Sequence, residues 1–263
     1  MADAPRLYID ADRFAAPTAG ARIVLDDDQA HYLRAVMRRE DGAALAVFNG
    51  RDGEWAARLV AIGKRGAAVD LDHQTRAPAP ERRLELIMAP VKRGPVELAV
   101  EKATELGVTA IRFAITRRTV VDRLRLDRLT AIAREAAEQC ERLSLPLIVE
   151  AAPLDAVLDR VQSEASAAAD GPLPVLFGDE TGGGVALAMA AAGLAGAPVG
   201  LLVGPEGGFD PAELDRLRAR PHVTAIGLGP RVLRAETAAI AGLAVLQALA
   251  PEGGGPRCRQ AVP

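Results

Sequence analysis

The sequence predicts an α/β protein, with a parallel sheet and covering helices in its C-terminal part and a small β-rich region ahead of it. From Leu84 onward, short apolar runs alternate with segments of helical period, the pattern of strand–helix–strand units. Before residue 75, apolar runs follow one another with little but turn signals between them. The composition is globular: of 263 residues, 49% are hydrophobic and 25% charged, which suits one large or two small domains. Aromatics make up only 3%, so the core has to be built from Ala, Val, Leu and Ile.

In the first region the expected strands are Arg6–Ile9, Arg22–Leu25, Ala43–Phe48, Glu54–Ile62 and Ala67–Leu71. Asp41-Gly42, Asn49-Gly50 and Asp52-Gly53 mark turns. One short helix interrupts the strands, capped within Asp26–Asp28 and carrying His31, Tyr32, Leu33, Val36 and Met37. Together they suggest a small, partly open barrel spanning residues 1–75, too short for a catalytic site of its own. The prolines of Thr75–Glu81 mark a linker, set at residues 76–82, because proline cannot join a central sheet and stiffens a connection.

The second region spans residues 83–250. It opens with a strand at Leu84–Ala89, a helix at Pro95–Leu106 ended by Gly107, and a strand at Val108–Ile115. A long helix is expected at Asp127–Leu143, then short buried strands at Leu147–Val149 and Val175–Phe177 with a weakly patterned loop, Ala165–Pro174, between them. Two further strands, Val199–Val203 and Val223–Leu228, each run into a Gly-Pro loop and then a helix. Asp210-Pro211-Ala212-Glu213 supplies a capping acid, a proline at the first helical position and a glutamate at the third. The last helix, from about Thr237, is rich in Ala and Gly and can pack closely. The two Gly-Pro loops are expected at the same end of neighbouring strands, where α/β sheets hold ligands. Glycines there let backbone polar groups approach a flat ligand. Residues 251–263 read as a tail.

Several function classes are excluded or disfavoured. There is no G-x-G-x-x-G after a strand and no Walker phosphate loop, which speaks against dinucleotide or triphosphate sites. Gly182-Gly183-Gly184 reads as a flexible loop rather than an anion site. His31, His73 and His222 are scattered and the two cysteines lie far apart, so no metal is expected. Cys140 reads as a buried packing residue, and Cys258 falls in the tail. Two cysteines make no disulfide framework. The N-terminus has no signal-peptide pattern and no apolar run has membrane-spanning length, so a cytosolic protein is expected. Net charge is −3, which alone argues against a nucleic-acid binder. However, residues 81–145 are net basic, and Lys92-Arg93, Arg117-Arg118, Arg231 and Arg234 fall at strand C-terminal ends, which favours an anionic partner on that rim.

The run Gly204-Pro205-Glu206-Gly207-Gly208-Phe209, followed by Leu228-Gly229-Pro230-Arg231-Val232-Leu233-Arg234-Ala235-Glu236-Thr237-Ala238, resembles the 16S rRNA uridine-N3 methyltransferases of the small ribosomal subunit. These belong to the SPOUT class of knotted methyltransferases. His31-Tyr32-Leu33-Arg34, Lys102–Val108 and Glu138-Gln139-Cys140-Glu141-Arg142 add supporting matches. The likeness spans Arg6 to about Leu249. The chain departs from the family at Cys140, commonly serine, and at Arg117, often glutamate.

The resemblance implies a PUA-like RNA-binding barrel followed by an α/β domain with a deep trefoil knot. It implies a homodimer with its sites near the interface, acting on 16S rRNA within the small subunit. It also implies S-adenosylmethionine bound by three loops: Leu176, Phe177 and Gly178; Val203, Gly204, Pro205, Glu206 and Gly207; and Leu228, Gly229, Val232, Leu233 and Thr237. In this reading Arg234 is the first candidate to stabilise charge developing on the uracil, and Glu206 and Glu236 are candidates either to accept the N3 proton or to hold loop backbone or the cofactor's amino group. Arg6, Arg34, Lys92, Arg93, Arg118 and Arg231 are candidates for phosphate contact. The competing readings are a knotted methyltransferase acting on tRNA or a ribose hydroxyl, a non-catalytic RNA-binding module, and a small-molecule α/β enzyme.

Overall fold

The computed structural model describes residues 4–14, 16–63, 66–120, 123–168, 171–194 and 196–249. The expected tail, with Cys258, lies outside the described residues. Contacts divide the chain into two units, Met1–Pro80 with Arg134–Leu145, and Glu81–Ala133 with Pro146–Pro263.

The first unit holds β1 (Arg6–Tyr8), β2 (Arg22–Val24), α1 (Asp27–His31), β3 (Ala44–Phe48), β4 (Glu54–Ile62) and β5 (Gly66–Arg76). Its sheet order is β1-β3-β4-β5-β2, parallel between β1 and β3 and antiparallel elsewhere. The inner face carries Leu7, Leu45, Val47, Leu59, Val69 and Leu71, all buried. Asp26 caps α1 in a reciprocal arrangement with Gln29, and the helix then widens into one π turn, Tyr32–Val36. β5 outruns the expected strand and takes in Thr75 and Arg76 from the expected linker. Its polar second half still pairs with β4, Trp55 facing Gln74 and Glu54 facing Arg76. Here ladder hydrogen bonds, which hydropathy does not register, extend the strand.

Arg6 organises this unit. It donates to Glu54 at 2.8 Å and to the carbonyls of Ala137, Glu138 and Arg142 at 2.9, 3.0 and 3.0 Å, and its guanidinium stacks 4.2 Å from the Phe48 ring centre. The Tyr8 N–H donates to Glu138 at 2.8 Å. Burial acts against a charged Glu54, but hydrogen bonds from Arg76 and Arg6 outweigh it and hold the carboxyl below its ordinary range.

The second unit is a parallel sheet covered on both faces. Its strands are β6 (Leu84–Met88), β7 (Ala110–Ile115), β8 (Leu147–Pro153), β9 (Val175–Gly178), β10 (Val185–Ala186), β11 (Val199–Val203) and β12 (Val223–Gly227), in the order β10-β12-β9-β11-β6-β7-β8. Its helices are α2 (Arg93–Glu105), α3 (Leu126–Gln139), α4 (Leu154–Ala167), α5 (Leu187–Ala192), α6 (Pro211–Ala219) and α7 (Ala235–Leu249); α3 counts with the first unit from Arg134 on. Alternation along the strands sorts the two cores. Leu176 and Leu201 pack with α2, α5 and α7, whereas Phe177 and Leu202 pack with α4 and α6. α7 lies so close to β11 that a Cβ on Gly242 would stand 2.6 Å from Leu201, which gives its small residues a purpose. Buried Arg112 is paired with Glu85 at 2.7 Å and with Glu164.

Several expectations need correction. β11 and β12 are not neighbours, because β9 lies between them and pairs with both. Local patterning marks a strand but says nothing about its lateral place. β8 is not buried; it is one of the two edge strands of the sheet, and none of its residues is fully buried. α3 stops at Gln139, and Cys140, one residue beyond, is exposed. Part of the expected loop, Ala165–Ala167, is the last turn of α4. Gly182-Gly183-Gly184 is a close crossing: a Cβ on Gly184 would meet the backbone N and C of Ile226 at 2.6 Å. β12 therefore lies between β9 and β10, two strands that the chain joins directly through residues 179–184.

Candidate active site

The loops after β9, β11 and β12 meet at the C-terminal edge of three adjacent strands. They enclose a cavity of about 320 Å³, closed on one side by Ala235 and Ala238 of α7. This size and the apolar wall of Val203, Ile226, Leu228, Val232 and Leu233 fit a ligand of cofactor dimensions. Six glycines on the lining, Gly178, Gly182, Gly204, Gly208, Gly227 and Gly229, leave the backbone bare. Gly229, at φ +112°, takes a conformation that L side chains rarely adopt. A Cβ on Gly204 would stand 2.8 Å from the Phe209 ring, so the β11 loop folds back on its own aromatic residue.

Side chains from neighbouring loops fix this edge. Asp210 accepts from the Ala212 N–H at 3.1 Å at the start of α6, and buried Glu213 accepts from Asp210 at 3.0 Å and from the Arg117 N–H at 2.8 Å. Arg118 donates to the Gly207 carbonyl at 2.8 Å, and Glu180 accepts from the Phe209 N–H at 3.2 Å. Asp179 is buried and accepts from the Thr181 hydroxyl at 2.6 Å, the Thr181 N–H at 3.0 Å and Arg218 at 2.6 Å. Burial opposes its charge, but these donors hold its carboxyl below the ordinary value. Hydrogen bonding by the Ala212 N–H, then by Arg117, does the same for Asp210.

Of the residues assigned to the cofactor, Gly178, Val203, Gly204, Pro205, Glu206, Leu228, Gly229, Val232 and Leu233 line the cavity. Leu176 and Phe177 do not, since their side chains are in the two cores beneath it; Gly207 and Thr237 are next to lining residues without contributing. Of the catalytic candidates, only Glu206 is on the lining, and it is exposed. Glu236 is buried in the first turn of α7, and Arg234 is exposed just before that helix. Arg231, expected to contact phosphate, lines the cavity.

Arg6 is corrected outright. Its guanidinium is spent on Glu54 and three carbonyls, and its side chain is only 10% exposed, so no phosphate can reach it. Arg34 donates to the Gly66 carbonyl, Arg93 pairs with Glu97, and Lys92 is exposed at the start of α2. Sequence reasoning missed Asp179, Glu180 and Thr181 on the β9 loop. The glycine run after them was the available signal, since three consecutive glycines permit the close crossing. Among the described residues no group of three His, Cys, Asp or Glu side chains could hold a metal, and no helix is long and apolar enough to cross a membrane.

An RNA methyltransferase domain family matches residues 78–247, and an RNA methyltransferase PUA domain family matches residues 25–72. The ribosomal RNA small subunit methyltransferase E of Rickettsia conorii is 33% identical over 85% of this chain and 88% of its own length. The protein of that name from Mycobacterium bovis is 31% identical over 89% and 88%. Among solved structures, the ribosomal RNA small subunit methyltransferase E of Neisseria gonorrhoeae bound to S-adenosyl methionine superposes with TM-score 0.80 at 26% identity, over 94% of this chain and 98% of that one. A Legionella pneumophila methyltransferase in complex with the cofactor SAM gives 0.79 at 26% identity, with the same coverage. The PUA module in the first unit, the parallel-sheet methyltransferase domain in the second and relatives along nearly the whole chain agree: this chain belongs to the RNA methyltransferase family.

Proposed function

We propose that the chain binds S-adenosylmethionine in the three-loop cavity and methylates N3 of a uridine in 16S rRNA of the small ribosomal subunit. The observation that carries this reading is the convergence of the Gly204–Gly208 and Leu228–Leu233 loops on one glycine-lined cavity, in a chain similar to two solved structures that hold that cofactor. The residues fit the group. Bare backbone edges at Gly204 and Gly227–Gly229 suit the hydrogen-bonding edge of an adenine, and Leu228 and Leu233 suit its faces. When bound, the cofactor supplies an electrophilic methyl group on a sulfonium.

The chain's own residues orient the uracil and manage its charge. N3 has to lose its proton before it can attack, and in-line placement dominates the barrier. Glu206, exposed on the lining, is better placed as proton acceptor than buried Glu236, which we assign to holding the start of α7. Arg234 is assigned to the negative charge developing on the ring. Lys92, Arg93, Arg118 and Arg231, with Arg34 in the PUA unit, are assigned to phosphates, which position RNA without reading its sequence. The placement of β12 between β9 and β10 supports a trefoil knot, and we extend the family reading to a homodimer acting in the cytoplasm.

The test is nucleoside mass mapping of 16S rRNA from cells lacking this protein. One N3-methyluridine disappears, and the purified protein restores it on undermethylated small subunits. An unchanged map, or a different modified nucleoside lost, refutes the assignment. Arg234→Ala lowers turnover at least roughly 100-fold on the same subunits; wild-type turnover removes Arg234 from the mechanism.

A further inference from the structure

The β9 loop is tied to α6 by a cluster that none of the site assignments uses, part on the cavity lining and part behind it. Asp179 is completely enclosed at its side chain, whereas its partner Arg218, on α6, is 42% exposed. Arg218 Nη2 donates both to the Asp179 carboxylate at 2.6 Å and to the Thr181 hydroxyl at 3.1 Å. Asp179 also takes both Thr181 donors, so three residues close one hydrogen-bonded ring at the base of the loop. The chain makes room for it: a Cβ on Gly183 would stand 3.0 Å from the Asp179 carboxylate and 3.2 Å from Arg218. A second bolt acts farther along. Glu180 accepts from the Phe209 N–H at 3.2 Å and occupies the space that a Cβ on Gly208, at φ +69°, would take. Asp179, Glu180 and Thr181 all line the cavity, whereas Arg218 and Gly183 do not.

A loop of this length has many conformations, and ordering it during ligand binding would cost entropy each time. We propose that Arg218, acting through Asp179 and Thr181, is a positioning residue that pre-sets the β9 loop as one wall of the methyl-donor site. The proposal rests on the reading of this cavity as the donor site. Its consequence is selective: losing the latch weakens donor binding while leaving RNA binding and the chemical step intact. The ion pair contributes through loop order, because Arg218 is not on the cavity lining whereas Asp179 and Thr181 are.

The experiment compares wild type, Arg218→Ala, Arg218→Lys and Gly183→Ala by calorimetric titration with S-adenosylmethionine, RNA filter binding, steady-state methylation and thermal unfolding. Arg218→Ala is expected to raise Kd and KM for S-adenosylmethionine roughly tenfold, with kcat and RNA affinity near wild type. Arg218→Lys recovers part of the loss, since a flexible ammonium keeps the charge beside Asp179 but lacks the fixed placement of the planar guanidinium. Gly183→Ala, which crowds the latch without touching the cavity, weakens donor binding in the same direction. Unchanged donor affinity in Arg218→Ala overturns the proposal. So does a parallel loss of donor binding, RNA binding, kcat and melting temperature, which marks a merely structural ion pair. If wild type itself binds no S-adenosylmethionine, the donor-site reading fails and the latch falls with it.

Discussion

Gly204→Ala puts one methyl group where the structure has no room. A Cβ there would lie 2.8, 3.1 and 3.2 Å from three carbons of the Phe209 ring. Carbons in good contact are about 3.5–4.0 Å apart, so the closest pair overlaps by roughly 0.7 Å. The ring cannot yield easily, because Phe209 is 2% exposed and packs edge-on against fully buried Phe177, with centroids 6.1 Å apart. Relief has to come from the β11 loop, which moves into the cavity. Overpacking of this kind costs about 1–3 kcal/mol, or a melting point lowered by roughly 3–10 °C. Displacing the loop also weakens donor binding by roughly tenfold or more. Gly227→Ala is the control, on the same cavity, where the nearest atoms to a new Cβ are carbonyl oxygens at 3.9 and 4.0 Å. It should keep stability within about 1 kcal/mol. Thermal unfolding and calorimetric titration with S-adenosylmethionine measure both effects. A Gly204→Ala protein that melts and binds like wild type refutes the packing argument.

Three further outcomes follow from the same contacts. Arg6→Ala strips Glu54 and three carbonyls of a donor and is expected to cost about 3 kcal/mol in urea unfolding, Arg76 covering part of the loss. It leaves the salt dependence of RNA binding unchanged, whereas a slope reduced by about one would restore Arg6 as a phosphate contact. Burial pushes the Glu138 carboxyl up to about 7, against about 4.3 unfolded. The folded state thus holds the extra proton, and stability is lost as pH rises through that window. Glu138→Gln is then more stable than wild type at pH 8, on the order of 1–2 kcal/mol, and the gap closes by about pH 4; a less stable variant at pH 8 contradicts this. Glu213→Ala, which orphans the N–H groups of Asp210 and Arg117, lowers unfolding free energy by about 1–3 kcal/mol, and an unchanged value denies the loop-lacing role of Glu213.

Much of the architecture was legible because it is written in local signals. Asp210-Pro211-Ala212-Glu213 announces a capping box, and α6 starts there with both reciprocal bonds in place. The apolar runs Glu54–Ile62 and Val199–Val203 become β4 and β11 without a shifted boundary. What escaped depends on partners distant in sequence. β9 slips between β11 and β12 because of its pairing on both sides, and no four-residue strand carries that information. Arg6 looked like a phosphate ligand because an arginine states only its charge; the carbonyls that consume it come from residues 137–142. Cys140 looked buried because helical spacing surrounds it, yet the helix ends one residue earlier. Within the cavity, the resemblance supplied the glycine and leucine positions of two loops. The resemblance also placed a loop after Gly178 in the cradle, but the roles of Asp179, Glu180 and Thr181 rest on contacts with Arg218 and Phe209, distant in sequence.

The most direct measurement is a crystal structure of the protein soaked with S-adenosylmethionine. The donor is expected in the cavity between the β9, β11 and β12 loops, its adenine edge on the backbone of residues 203–208 and 226–229 and its methyl group open to an incoming uracil. Density for the donor at any other place on the chain, with this cavity empty at saturating concentration, contradicts it.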